Sequence, residues 1–166
     1  MRDPSPIGAT RPRRDVKFFF DENMPVVAVR PLIAMFGDRH EFETAQSLGL
    51  QGADDIELYP RVRTAGALLI ISKDDRQLKN PTERRGLYDN GLSFIHLRMG
   101  RVSGRKGLAL TVTSLTAGIP YVEERWTPEP HAFRLRGLQS GFTERVSSYL
   151  PLWQERWGAR PELTDQ

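Results

Sequence analysis

The sequence has no cysteine, which excludes disulfide staples and thiolate metal sites. No apolar run approaches the length of a membrane span. The opening stretch MRDPSPIGATRPRRD is basic and lacks the apolar segment of a secretory signal. These absences predict a cytoplasmic protein with no membrane association. There is no dinucleotide fingerprint and no nucleophile elbow, and Gly100 to Lys106 has the wrong glycine spacing for a phosphate loop. His40, His96 and His131 are far apart and show no metal-ligand spacing.

What is present is a chain of 166 residues, the size of one domain and long enough to bury a core without staples. Its net charge is +3, with arginine dominating the basic residues. The planar guanidinium suits phosphate, so an anionic partner fits, and so does a merely soluble surface. Residues 1–15, rich in Pro and Arg, are expected to be flexible. The domain with its C-terminal extension covers 16–150, and 151–166, with Trp153 and Trp157, is a tail.

VKFFF (16–20) is an apolar run of strand length that ends in Asp21-Glu22-Asn23. A helix follows, with Asn23 as cap, Pro25 in its first turn and Val26, Val29, Ile33 and Phe36 facing the core; Pro31 is expected to kink or split it. HEFETA (40–45) reads as a more polar strand. A helix over 55–64 has Asp54 or Asp55 as cap and conflicts with Pro60. ALLIIS (67–72) is the clearest buried strand. NPTER (80–84) starts a helix, with Asn80 as cap, Pro81 at the first position and Glu83 completing a capping box; Asn90-Gly91 ends it. LSFIHL (92–97) is a fourth strand and Ser103 to about Ala117 a further helix. HAFRLRG and FTERVSS, joined through 138–141, look like a hairpin.

Alternating strands and helices predict an α/β fold, a three-layer α/β/α sandwich with a mainly parallel central sheet and a C-terminal hairpin extension. Strands 16–20, 67–72 and 92–97 are expected to be parallel neighbours with the first in the interior, joined by right-handed crossovers. Such sheets bind ligands beyond the carboxyl ends of their strands. Two strands end in acids there: Asp21 and Glu22 after the first, Asp74 and Asp75 after the third. Like charges gathered at one edge need a cation, and oxygen-only ligands suit Mg²⁺ or Mn²⁺. An Asp after a strand can equally be a loop residue or a helix cap. Asp54, Asp55 and Glu57 form a third acidic cluster, of which one is a cap.

FFFDENM, LGLQGADDIELYP and LLIISKDDRQLKNPTERRGLYDNGLSFIHL together resemble the PIN-like domain of VapC-type toxins, over about residues 16 to 98. The resemblance implies a metal-dependent endoribonuclease silenced by a small cognate antitoxin, with homodimers common. It implies metal-binding and catalytic roles for Asp21, Asp55 and Asp74, and a small hydroxyl residue at Ser72. Glu22, Glu57 and Asp75 are further candidates for the metal or for orienting water. Ser72, Lys73, Arg76 and Lys79 are candidates to meet the RNA substrate. Glu22, Asp75 and Pro31 depart from the family pattern, and the chain after residue 100 carries little family signal.

Two rivals stand beside this. One is a non-catalytic module of the same fold that binds nucleic acid or a partner protein. The other is a phosphoacceptor receiver, which needs a lysine after a late strand; LSFIHL is followed by Arg98 and no lysine until Lys106.

Overall fold

The computed structural model describes residues 16–138; the N-terminal arginines, FTERVSS, Trp153 and Trp157 lie outside them. Five strands form one sheet: β1 (Val16–Phe20), β2 (His40–Thr44), β3 (Leu69–Ser72), β4 (Ser93–Arg98) and β5 (Ala132–Arg136). Their order is β2-β1-β3-β4-β5 and every pair is parallel. The expected neighbours β1, β3 and β4 are adjacent, and β1 is interior. Five α-helices connect them: α1 (Val29–Phe36), α2 (Asp55–Thr64), α3 (Arg76–Lys79), α4 (Pro81–Asp89) and α5 (Gly104–Arg125).

The period-2 alternation of the strands sorts their side chains into two cores. Phe18, Phe20, Leu69, Ile71, Ile95 and Leu97 pack against Val29, Leu32 and Phe36 of α1 and Leu115, Ile119 and Val122 of α5. Phe19, Ile70 and Phe94 pack on the other face against Leu58, Tyr59 and Val62 of α2 and Leu87 of α4. This is the three-layer sandwich.

Several local expectations change. The first helix starts at Val29, after a 3-10 turn at Val26–Ala28, and Asn23 does not cap it. Pro31 then falls in the first turn, where its missing N–H leaves nothing unpaired, and so need not interrupt the helix. Val29, Leu32 and Phe36 face inward, whereas Val26 and Ile33 are about half exposed (48% and 49%), because the late start rotates the apolar stripe. Pro60 sits inside α2, on an exposed stretch where water can take the Ile56 carbonyl it frees. Asn80 does cap α4, accepting from the Thr82 N–H at 3.0 Å, but Glu83 takes its bond from the Asn80 side chain, since the Asn80 N–H donates to the Arg76 carbonyl.

The largest revision concerns residues after 100. α5 does not stop near Ala117 but runs through Gly118 and Pro120 to Arg125. A β-carbon on Gly118 would lie 2.3 Å from the Leu135 side chain, so glycine there lets α5 pack closely on β5. HAFRLRG is a strand that pairs in parallel with β4, and FTERVSS, the other arm of the expected hairpin, lies outside the described residues. A 22-residue helix before it is the crossover that parallel pairing requires. That crossover also breaks the expected handedness. It moves along the sheet in the same direction as β3–α4–β4 but over the opposite face, so the two connections have opposite hands. In consequence, among the described residues no crossover helix of its own covers the α4-side face of β5.

Candidate active site at the carboxyl edge of the sheet

Asp21 continues β1, its N–H donating to the Ile71 carbonyl at 3.0 Å, and it is 7% exposed. The pairing Phe20↔Ile71 and Ser72↔His96 puts Asp21, Ser72 and His96 in one row on the α2–α4 face. The Asp21 carboxylate is surrounded by donors. The Glu22 N–H donates to Oδ1 at 2.8 Å; Asn23 Nδ2 (2.7 Å), Ser72 Oγ (2.9 Å) and Gln77 Nε2 (3.2 Å) reach Oδ2. Ser72 Oγ accepts from Asn23 Nδ2 and from the Asp74 N–H, and the nearest acceptor for its single proton is Asp21 Oδ2, ahead of Asn23 Oδ1 and the Asp74 carbonyl at 3.2 Å each. Gln77 is itself held by Tyr59, whose hydroxyl donates to Gln77 Oε1 at 3.1 Å. Gly86 permits this arrangement, because a β-carbon there would come within 2.9 Å of the Tyr59 ring.

Four donors on one buried carboxylate alter an expectation about its replacement. Charge repulsion alone predicts that Asp21→Asn keeps or gains stability in the absence of metal. The amide would instead turn an N–H₂ toward donors, so the substitution costs stability.

Asp55, at the first position of α2, is the second member of the site. Burial comes first among the causes that push its pKa up, followed by the charges of Asp21, Glu83 and Asp54; it rises to about 6. Asp55 and Glu83 lie within hydrogen-bonding reach of each other, a contact that needs a proton or another cation between them. The sequence pointed to Asp55 but gave Glu83 only a capping role. A short N-P-x-E start explains Glu83 locally, and nothing in the sequence indicates that α4 brings it to α2. Burial and the charges of Asp55, Glu83 and Asp21 also raise the Tyr59 pKa, so that its hydroxyl stays protonated.

The other candidates are placed differently. Asp74 follows Ser72, but its carboxylate is occupied by Arg76: the backbone N–H donates to Oδ1 at 2.9 Å and the guanidinium pairs with Oδ2. That pairing, first among its causes, holds the Asp74 pKa below the usual range. Asp75 pairs with Lys79 at 2.7 Å. Glu22 is exposed and accepts from the Gly52 N–H at 3.1 Å, tying down the 45–53 loop. Glu57 is exposed on α2, as is Asp54 before it. Lys73 points to α5, donating to Thr111 Oγ1 at 2.8 Å, and burial lowers its pKa. His96, set aside in the sequence for want of ligand spacing, lies beside Ser72; its Nδ1 is buried without a partner among the described residues.

A sequence profile of the PIN-like domain family matches residues 16–99. The chain belongs to this family. Neither a curated protein nor a solved structure matches it. Domains of the PIN-like family are generally nucleases, so the chain belongs to a fold used for nucleic-acid hydrolysis. The matched segment contains Asp21, Asp55, Ser72, Asp74 and Glu83, and ends just past β4, so α5 and β5 lie beyond it.

PIN-like domains usually use divalent metals, and the donor chemistry here suits one. The donors are all carboxylate oxygens, and the Asp55–Glu83 contact calls for positive charge. The spacing is less complete: among the described residues, no three His, Asp or Glu side chains are grouped to hold one ion. A cleft of ≈ 500 Å³ opens beside Asp21 on the β2 side of the edge, lined by Glu22, Asn23, Thr44, Gln46 and Gln51 among others.

Proposed function

We propose that this PIN-like domain is a Mg²⁺- or Mn²⁺-dependent endoribonuclease and the toxin of a type II toxin–antitoxin pair. The observation that carries this reading is the buried Asp21 carboxylate beside the Asp55–Glu83 pair, at the sheet edge where α/β proteins bind ligands. Asp21, Asp55 and Asp74 would hold the ion, with Glu83 added to that set. Asp74 joins by exchanging Arg76, an 86% exposed partner whose ion pair is of the weak surface kind. A bound ion would supply charge stabilisation at the scissile phosphate and lower the pKa of its water.

The protein's own groups do the rest. Ser72 and Asn23 fix the orientation of Asp21, and Gln77, held by Tyr59, keeps its second oxygen in place. Glu22, Glu57 and Asp75 remain as candidates to orient water, and Arg76, released from Asp74, to meet phosphate. A small antitoxin would cover the acidic cleft with an Arg or Lys, and the chain is proposed to dimerise. Among the described residues no helix is long and apolar enough to cross a membrane. An RNA target is consistent with the cytoplasm.

The test is cleavage of a mixed RNA pool with added Mg²⁺ or Mn²⁺. The chain should cleave, EDTA should stop it, and Asp21→Asn should be inactive while folded by circular dichroism. In cells, expression of the chain alone should arrest growth and Asp21→Asn should relieve it. Harmless expression at high level, without a co-purifying partner, contradicts the toxin role.

A second reading, a PIN-like module that binds without chemistry, is favoured by the engagement of Asp74 with Arg76 and by the absence of a three-carboxylate group among the described residues. Under that reading, no divalent ion binds at these carboxylates.

A further inference from the structure

The cations closest to the acidic edge are engaged: Arg76 by Asp74, Lys79 by Asp75 and Lys73 by Thr111. Three arginines farther along the sheet are not. Arg98 ends β4, and Arg134 and Arg136 lie on β5. The register pairs His96 with Arg134 and Arg98 with Arg136, so all three share the sheet face that carries Asp21 and Ser72. Each is exposed, and none makes an ion pair among the described residues.

Neither β4 nor β5 contributes an acid to this face. From β4 it presents Phe94, His96 and Arg98; from β5, Ala132, Arg134 and Arg136. Phe133 and Leu135 turn the other way, into the core under α5. The α5 crossover runs over that opposite side, so among the described residues the arginine side stays open. Alternate residues on a strand stand about 6.6 Å apart, so Arg134 and Arg136 form a short positive track. Beside it is a groove of ≈ 350 Å³, lined by residues including Leu78, Tyr88, Phe94, Pro130 and His131. That is near the lower limit for a small-ligand site, which suits one base rather than a larger group. Tyr88 is 58% exposed there and offers a ring face for stacking.

We propose that the β4–β5 face binds single-stranded RNA. Phosphates lie along Arg98, Arg134 and Arg136, and an unpaired base enters the groove against Tyr88 and His131. The strand then runs along the sheet toward Asp21. This rests on the ribonuclease reading for its substrate, but it assigns binding to a strand outside the residues that match the family. Guanidinium groups beside an apolar, aromatic groove suit a chain with both phosphates and bases. A paired duplex would keep its bases out of the groove.

The experiment is fluorescence anisotropy of the full chain with a labelled, mixed-sequence single-stranded RNA, in EDTA to prevent cleavage, across a salt series. The triple variant Arg98→Ala, Arg134→Ala, Arg136→Ala should bind at least tenfold more weakly. Its log–log salt slope should fall by about 0.7 per arginine removed. Tyr88→Ala should weaken binding without changing the slope. Arg30→Ala, on exposed α1 at the opposite face, should change neither. Asp21→Asn, which lacks cleavage under the ribonuclease reading, should bind at least as tightly as the parent. If the chain proves unable to cleave RNA yet the triple variant loses binding, the track stands and the catalytic reading falls. A folded triple variant with unchanged affinity and slope overturns the track. So does an equal loss in Arg30→Ala, or duplex RNA bound as tightly with the same arginine dependence.

Discussion

The two faces of the sheet are built from the same three central strands, yet they end differently. On the α1/α5 face, Phe20, Ile71 and Leu97 stay buried to the carboxyl ends of their strands. On the α2–α4 face, Phe19, Ile70 and Phe94 are followed two residues later by Asp21, Ser72 and His96. One face is a structural floor, and the other is apolar under its helices and polar at its rim. The alternation of a strand makes this possible: moving one residue along β1, from Phe20 to Asp21, moves from core to site.

This contrast can be broken from either side. Ile119→Ala, on the apolar face, should cost about 2–5 kcal/mol by leaving a cavity among fully buried neighbours. Cleavage per folded molecule should stay at the parental level, measured by urea unfolding alongside an RNA assay. A change in catalysis exceeding the folded fraction would mean that the faces are not separable. Asp21→Asn should do the reverse. Its stability loss should be smaller, about 1–3 kcal/mol from mispaired donors. Its rate should fall on the order of a hundredfold or more, the scale of losing a major electrostatic group.

A subtler effect comes from pH. The Asp55 carboxyl rises from 3.8 to about 6 in the folded chain, chiefly by burial. The folded state therefore holds a proton that the unfolded state has released across that window. Its stabilising contribution is full below the unfolded pKa and is lost as pH rises through about 6. Asp74 and Asp75 have lowered pKa values and act in the opposite direction, losing their contribution as pH falls below the usual carboxylate range. Metal-free protein should thus melt at a lower temperature at neutral pH than just above pH 5, and Asp55→Asn should flatten the difference. A thermal-melt series with no such slope would remove Asp55 from the cluster. The smallest effect is expected at Asp75→Asn, which should leave cleavage near the parental rate and well above that of Asp74→Asn, because only Asp74 matches the family's aspartate position after the third strand.

What the sequence revealed follows the same physics. β1, β3 and β4 were legible because buried parallel strands are continuous apolar runs, and their order followed from β1 being more apolar than β2. Asp21 stood out by its place at a strand end, whereas Asp55 was separated from Asp54 and Glu57 only by the family resemblance. Glu83 was hidden because its local role in the α4 start was sufficient to explain it. The parallel pairing of β5 with β4 was not legible because α5 was cut short at Gly118 and Pro120; with the helix ending near Ala117, no crossover was visible. The arginine face was missed for the same reason, since it exists only when β5 lies parallel beside β4. The engagement of Asp74, Lys73 and Lys79 could not be read from spacing, because each chose a partner through a loop or helix geometry that the sequence does not specify.

The acidic rim is proposed as a cation site. Titration of the metal-free chain with Mn²⁺, followed by calorimetry, tests this most directly. One ion per chain should bind, and much more weakly to Asp21→Asn, Asp55→Asn and Glu83→Gln. Absence of binding, or binding that all three variants retain at parental affinity, would contradict it.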